Sequence, residues 1–83
     1  MNYVKALHDI CVELVDDKSH LEVREMPSLE EDTIVLYVYA NSKDIAKLIG
    51  RKGVVASSIR QLMSVSGRLH DKKLDIKFES YGE

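Results

Sequence analysis

The stretch that most constrains the fold is LIGRKGVVASSIR, residues 48–60. Gly50 and Gly53 stand three residues apart in it and enclose the basic pair Arg51 and Lys52. Apolar residues on either side recur at spacings of three and four, which is the period of an amphipathic helix. Glycine ends a helix without steric penalty, because it enters the left-handed conformation needed there. The stretch therefore predicts two helices joined by a short basic loop with a bare backbone.

The other segments predict one more helix and three strands. Residues 2–16 have apolar side chains at helical spacing, whereas residues 21–26 and 73–79 alternate between apolar and polar. TIVLYVYA, residues 33–40, is dense in β-branched and aromatic residues and is the strongest strand prediction. Two strands joined through two helices should run parallel, and the turn near Pro27 should make the first strand antiparallel to the second. We expect an α+β fold in the order α-β-β-α-α-β, with a three-stranded mixed sheet covered on one face by three helices.

Individual residues carry further expectations. The first helix should extend to Asp16 and include Leu14 in its packed stripe. Cys11 lies on the same stripe and is interpreted as a small core residue, because no cationic neighbour in sequence would lower the pKa of its thiol. Gly67 should end the helix that follows the loop.

Length and composition limit the class of protein. At 83 residues the chain, residues 1–83, should form a single domain, because a chain of this size cannot divide its buried surface between two cores. Its one cysteine cannot form an internal disulfide, and no signal-peptide pattern or apolar run near 20 residues is present. We therefore expect a cytoplasmic protein with no membrane insertion. The three histidines lie far apart without partners at metal-ligand spacing, so we expect no metal and no cofactor.

Charge is unevenly distributed along the chain. Residues 42–73 contain eight Lys or Arg against two Asp, a net charge of +6, so that the remainder carries −8 of the total of −2. This separation makes one part of the surface attractive to phosphate and keeps the rest acidic. Chance clustering on solvated helix faces is the alternative interpretation.

The loop suits a phosphate backbone. Glycines at both ends of the loop lack the Cβ atoms that would keep a nucleic-acid strand at a distance. The amides near Gly53 and Val54 lie at the positive end of the second helix and should have no hydrogen-bond partner within that helix. Arg51 and Lys52 add positive charge. The pattern predicts a clamp on a nucleic-acid strand. It is not a mononucleotide P-loop, which needs four residues between its glycines and a following Lys-Ser/Thr.

The string LIGRKGVVASSIR resembles the KH-domain signature, an apolar pair followed by GxxG and a helix with apolar residues at Ala56 and Ile59. The element order is that of the type II KH fold, and LEVRE and SKDIAKLIGRKG are similar to stretches of the small bacterial KhpA-type RNA-binding proteins. The resemblance implies a single-stranded RNA ligand of about four nucleotides and a role as RNA chaperone or post-transcriptional regulator. It also implies partners: a second copy of the chain, or a larger Jag-type KH protein.

Carried over by position, the resemblance implies eight RNA-binding residues. The clamp consists of Gly50, Arg51, Lys52 and Gly53, the groove floor of Ile49 and Ala56, and the flanking cations of Lys47 and Arg60. Val54 and Ser57 stand where relatives often carry basic residues. No aromatic residue occurs in the motif, so we expect base stacking to contribute little.

Two other functions remain open. The first is a protein-interaction module with reduced RNA binding, for which Val35, Tyr37 and Tyr39 on the sheet face opposite the helices form a candidate surface. A partly covered strand face is the alternative interpretation of these three residues. The second is an enzyme. We expect no catalysis, because the basic segment offers no triad or ligand spacing.

Overall fold

The computed structural model describes residues 2–81. Its helices and strands follow the predicted order, and two short 3₁₀ turns, Lys18–His20 and Arg51–Gly53, lie between them. The bounds are α1 Tyr3–Val12, β1 Glu22–Met26, β2 Thr33–Ala40, α2 Ser42–Ile49, α3 Val54–Leu69 and β3 Lys73–Ser80. The predicted α+β class and the order α-β-β-α-α-β are confirmed.

The three strands form one mixed sheet in the order β1-β2-β3. β1 pairs antiparallel with β2, with Val23 opposite Val38, and β2 pairs parallel with β3, with Leu36 opposite Ile76. The TIVLYVYA strand is therefore central, as its composition predicts. β3 lies at the edge of the sheet, and its outer side faces no further strand in the described sheet.

The core lies between one face of the sheet and the helices. Along β2 the side chains of Leu36, Val38 and Ala40 are fully buried, whereas the alternate residues are half-buried on the opposite face. Burying one such side chain stabilises the fold by about 1.5–3 kcal/mol. The helices contribute Leu7, Cys11, Ile45, Leu48, Ile59 and Met63. Burial raises the pKa of the Cys11 thiol to about 12, which agrees with its interpretation as a core residue.

The first helix is shorter than the sequence predicts. α1 ends at Val12, and the chain then turns and leaves Leu14 42% exposed. The prediction of a helix to Asp16 with Leu14 packed is wrong. The buried Asp44 carboxylate accepts the backbone N–H groups of Asp16 and Asp17, each at 3.0 Å, and this long-range contact draws the segment out of helical geometry.

Gly67 does not end the helix that follows the loop. α3 continues to Leu69, and Gly67 is buried within it. A Cβ atom at Gly67 would lie 2.6 Å from the backbone oxygen of Lys72, so glycine is needed for the close approach of the returning chain. The left-handed residue that reverses the chain is Asp71, with φ 56°. The prediction of a helix stop at Gly67 is therefore wrong.

Candidate nucleic-acid interface

The loop between α2 and α3 is one tight turn rich in positive φ. Gly50 has φ 76° and ψ 174°, Lys52 has φ 56° and ψ 24°, and Gly53 has φ 77° and ψ 15°. Glycine adopts these angles freely, whereas a residue with a side chain adopts the left-handed region at a cost of about 1–2 kcal/mol. Lys52 therefore carries its charge on a strained backbone. Strained backbone conformations of this kind occur most often at functional sites.

The two glycines have different surroundings. A Cβ atom at Gly50 would lie 2.5 Å from Val55 Cγ2 and 3.0 Å from the Val55 backbone nitrogen, so Gly50 lets the loop pack against α3. A Cβ atom at Gly53 would meet nothing within 4 Å. Gly50 is therefore required by the fold, whereas the bare side of the loop that a ligand can approach is at Gly53.

The amides predicted to lack a partner within the second helix are bonded to carbonyls of the loop. The Gly53 N–H donates to the Gly50 carbonyl at 3.1 Å, and the Val54 N–H donates to the Arg51 carbonyl. As predicted, neither amide has a partner within α3, but the 3₁₀ turn uses both donors before α3 begins, so neither is free for a phosphate. Attraction for phosphate at this point must therefore come from side-chain charge and from the positive end of α3.

The loop cations differ from most other cations of the chain. Both Arg51 and Lys52 are exposed, and within residues 2–81 neither forms an ion pair or a side-chain hydrogen bond. Cations elsewhere that bind a carboxylate or a backbone carbonyl are Lys5, Lys18, Arg24, Lys47, Arg60, Lys72 and Lys77. The loop thus presents two adjacent charges that no acidic group within residues 2–81 neutralises.

The apolar residues beside the loop are unequally accessible. Ile49 is 38% exposed and Val54 is 62% exposed, so both offer apolar surface next to the basic pair. Ala56 is only 3% exposed and lies beneath that surface. Val54, whose side chain was not among the predicted RNA-binding residues, is the most accessible of these three apolar neighbours.

Lys47 lies on α2 and is ion-paired with Asp16. Asp16 is held in place because its backbone N–H donates to the buried Asp44 carboxylate. The same bond, together with that from Asp17, holds the pKa of the Asp44 carboxyl below its ordinary value. A phosphate that approaches Lys47 must compete with the Asp16 carboxylate.

Arg60 is bound to the edge of the sheet. Its Nε and Nη2 donate to the Ile76 carbonyl at 3.1 and 3.0 Å, and its Cζ lies 5.3 Å from the centroid of the Phe78 ring. Phe78 is the aromatic residue near the interface that sequence reasoning missed, since it lies outside the GxxG motif. The only signal in the sequence was the alternation of β3, which places Phe78 on the side that faces the helices.

Comparison with known proteins identifies the family of the chain. The family model "KhpA/KhpB, KH domain" matches residues 4–78. The chain belongs to the KhpA/KhpB family of KH domains. It is 31% identical over 75 residues to "RNA-binding protein KhpA" of Aquifex aeolicus (strain VF5), an alignment that covers 86% of this chain and 92% of that protein. It is 29% identical over 68 residues to "RNA-binding protein KhpA" of Clostridium perfringens (strain 13 / Type A), with coverage of 82% and 88%. No solved structure matches the chain significantly.

This KH domain has the type II element order, with α1 and β1 preceding the β2-α2-α3-β3 unit that contains the loop. Among residues 2–81, no helix is both long and apolar enough to cross a lipid bilayer. In the same part of the chain, no three His, Cys, Asp or Glu side chains come together as a metal site.

The sheet face opposite the helices carries a row of tyrosines. Tyr39 stacks with Tyr37 and with Tyr81, in each case with ring centroids 5.9 Å apart, and Arg24 lies over the Tyr39 ring. A shallow cavity of about 470 Å³ is lined by Tyr39, Tyr81, Glu22, Arg24 and Ser80. Val35, Tyr37 and Tyr39 are half-buried, so this face is partly covered by its own side chains.

Proposed function

We propose that this chain, as a single domain, is a non-catalytic RNA-binding protein that grips about four nucleotides of single-stranded RNA at its GxxG loop. The observation that carries the proposal is the exposed pair Arg51 and Lys52, which has no ion-pair partner among the described residues and lies on a turn whose outer side has no Cβ at Gly53. The two relatives named RNA-binding proteins support the same ligand. In the cell this activity fits a cytoplasmic RNA chaperone or post-transcriptional regulator.

Binding at this loop is mainly electrostatic. The phosphates lie against Arg51 and Lys52 near the positive end of α3, and the bases turn toward the apolar surface of Ile49. Phosphate contact at Lys47 requires displacement of Asp16, which lowers the net gain from that cation. The local charge attracts RNA, whereas the acidic remainder of the chain limits non-specific binding.

The proposal is tested by reversing the loop charges. The double variant R51D/K52D should abolish binding to a fluorescein-labelled hexauridine, measured by fluorescence anisotropy. Aspartate tolerates the left-handed conformation found at position 52 better than most residues do, so the fold should remain intact by far-UV circular dichroism. For the wild type, log affinity should fall with log salt by about 0.7 per phosphate neutralised, for a few phosphates in total.

A matched control reverses two lysines away from the loop. K73D/K77D changes the net charge by the same amount, but on two exposed residues of β3. This variant should retain binding within about threefold, the difference expected from the long-range charge alone. If R51D/K52D still binds RNA with the wild-type salt slope, or if both variants lose binding equally, the loop is not the clamp.

A second function, pairing with another protein chain, is favoured by an apolar stripe on α3. Leu62, Val65 and Leu69 recur at spacings of three and four and are 61%, 50% and 77% exposed. Exposed apolar residues at this spacing suit helix-to-helix contact between two chains. We propose a second copy of the chain, or a larger KH protein with the same helix, as the partner.

Sedimentation velocity tests this pairing. L62D should shift a wild-type dimer to monomer, because it places a charge in the apolar stripe. L29D is the matched control, since Leu29 is 106% exposed but lies in the loop between β1 and β2. The pairing is contradicted if the wild-type protein is monomeric at all concentrations and also captures no stoichiometric partner that resists ribonuclease treatment. A stoichiometric partner without any RNA affinity would favour the interaction module alone.

A further inference from the structure

The sheet face that points away from the helices presents its side chains in rows. Cross-strand partners of a sheet share a face, so each row takes one residue from each strand. In two adjacent rows the order across β1, β2 and β3 is Arg24, Tyr37, Lys77 and then Glu22, Tyr39, Glu79. The face is therefore a strip of tyrosine rings on the central strand, bordered by charged residues on both sides.

The tyrosine rings stand nearly parallel to one another. The ring planes of Tyr37 and Tyr39 differ by 18° and those of Tyr39 and Tyr81 by 24°, and the centroids are 5.9 Å apart in both pairs. Tyr81 is 49% exposed, and together with Tyr39 it lines the shallow cavity of about 470 Å³. Parallel aromatic rings beside a shallow cavity suit an extended ligand that lies across them.

The face is too small for a stable contact with a second copy of the chain. Three strands about 4.8 Å apart, each with about five residues at about 3.3 Å, give a projected area of roughly 250 Å². Even twice that area falls short of the about 800 Å² that a stable interface buries on each partner. The row of three rings is at most about 12 Å long, the length of about four residues of a polyproline II helix. The occupant is therefore a short segment.

The charges on the face disfavour a nucleic-acid strand as that segment. Arg24 is ion-paired with Glu22, and Lys77 Nζ lies 4.0 Å from Asp75 Oδ2. Glu79 is exposed and has no ion-pair partner within residues 2–81, so the face carries a net negative charge. Phosphates are repelled by this charge, whereas a basic residue of a peptide is attracted to Glu79.

The neighbouring edge of the sheet is partly closed to an added strand. On β3 the Ile76 carbonyl already accepts two N–H groups of Arg60, at 3.1 and 3.0 Å. A peptide is therefore better placed across the face than along this edge. Polyproline II suits that placement, because it has no internal hydrogen bonds, leaves its backbone in water and is formed before binding.

We propose that the face formed by Tyr37, Tyr39 and Tyr81 binds a short proline-rich peptide segment that carries a basic residue. The proline rings pack against the parallel tyrosine rings, which is how aromatic grooves recognise polyproline II. The basic residue pairs with Glu79 at the border of the face. The GxxG loop joins two helices on the other side of the sheet, so the peptide site does not depend on the RNA-binding function proposed above.

The test is a titration with fluorescein-labelled peptides, followed by fluorescence anisotropy. Because a polyproline II helix binds in either orientation, the peptides RPPLPPLP and PLPPLPPR are both used. Each is compared with a version that has alanine in place of every proline. At least one orientation should bind about tenfold tighter than its alanine version. In the NMR spectrum of the protein, the amides of Tyr37, Tyr39 and Ser80 should shift most when that peptide is added.

Two variants with different aromatic residues locate the site. Y39L removes the central ring of the row and should weaken binding at least about fivefold. F78L is its matched control, because Phe78 lies on β3 but packs against the core on the helix side of the sheet. F78L and the loop variant R51D/K52D should both bind the peptide as the wild type does. Far-UV circular dichroism checks that each variant remains folded.

Charge reversal tests the pairing with Glu79. E79K should weaken RPPLPPLP at least about twofold and should bind EPPLPPLP, the peptide of reversed charge, more tightly than the wild type does. E13K is the matched control, since Glu13 is exposed at the end of α1, on the helix side of the sheet. E13K should leave both affinities unchanged.

Four results would overturn the inference. The first is no saturable binding of either orientation up to about 1 mM protein. The second is equal affinity for the proline peptides and their alanine versions. The third is a hexauridine titration that shifts the amides of Tyr37 and Tyr39 more than the peptides do, which would make the face an RNA platform. The fourth is a concentration-dependent shift of these amides without peptide, which would make the face a contact between copies of the chain.

Discussion

The two glycines of the loop should separate fold from function when each is replaced by alanine. Gly50 combines φ 76° and ψ 174°, a region that is essentially restricted to glycine, with a Cβ position 2.5 Å from Val55 Cγ2. Gly53 has φ 77° and ψ 15° and open space around its Cβ position. Gly50→Ala should therefore destabilise the fold strongly, whereas Gly53→Ala should act mainly on RNA binding.

The magnitude follows from the two contributions. Backbone strain at Gly50→Ala costs about 1–3 kcal/mol, and overpacking against Val55 adds about 1–3 kcal/mol. The sum, about 2–6 kcal/mol, is a large part of the roughly 4–12 kcal/mol expected for a domain of this size. Gly53→Ala has only the left-handed strain of about 1–2 kcal/mol, partly offset by the lower entropy of the unfolded chain.

Urea denaturation followed by far-UV circular dichroism measures both free energies of unfolding. Gly50→Ala should lose at least 1 kcal/mol more than Gly53→Ala, while Gly53→Ala should weaken hexauridine binding by tenfold or more. Val55→Ala removes the nearest atom, so the double variant with Gly50→Ala should show a coupling of at least about 0.5 kcal/mol. Equal costs for the two glycine variants, or no coupling with Val55, would refute this assignment of roles.

Two other predictions concern stability and reactivity. The pKa of Asp44 is lowered in the folded state, so its ionised carboxylate stabilises the fold. This stabilisation is fully present above the unfolded pKa and is lost as pH falls through the folded pKa. The stability gap between wild type and D44N in urea should therefore be largest near neutral pH and shrink below about pH 4, and a gap independent of pH would contradict this. Cys11 is buried with a pKa raised to about 12, so Ellman's reagent at pH 8 should label it at least about a hundredfold more slowly in native protein than in urea. Rapid labelling of the native protein would show that α1 opens readily.

The sheet was predictable because its signals are local. β2 begins and ends at the predicted residues, Thr33–Ala40, because β-branched and aromatic residues, which favour strands, make up most of this segment. The helix after β2 begins next to Asn41, whose side chain accepts the N–H of Asp44 at 2.9 Å and so caps α2. The GxxG loop was predictable for the same reason, because its glycines and cations are adjacent in sequence.

The features that sequence reasoning missed depend on contacts between distant residues. α1 ends early because of Asp44, which lies 28 residues after Asp16. The engagement of Arg60 depends on β3, 16 residues further along the chain, and no local pattern reports it. The hydrogen bonds that the Gly53 and Val54 amides make within the loop were not predicted, because a GxxG sequence allows either an open loop or a 3₁₀ turn.

An RNA titration followed by amide chemical shifts tests the central claim most directly. Addition of hexauridine to the wild-type protein should shift the amides of Arg51, Lys52, Gly53 and Val54 most, with smaller shifts along the groove side of α3. In R51D/K52D these shifts should disappear. If the largest shifts fall instead on Tyr37 and Tyr39 of the opposite sheet face, RNA binds elsewhere and the loop is not its clamp.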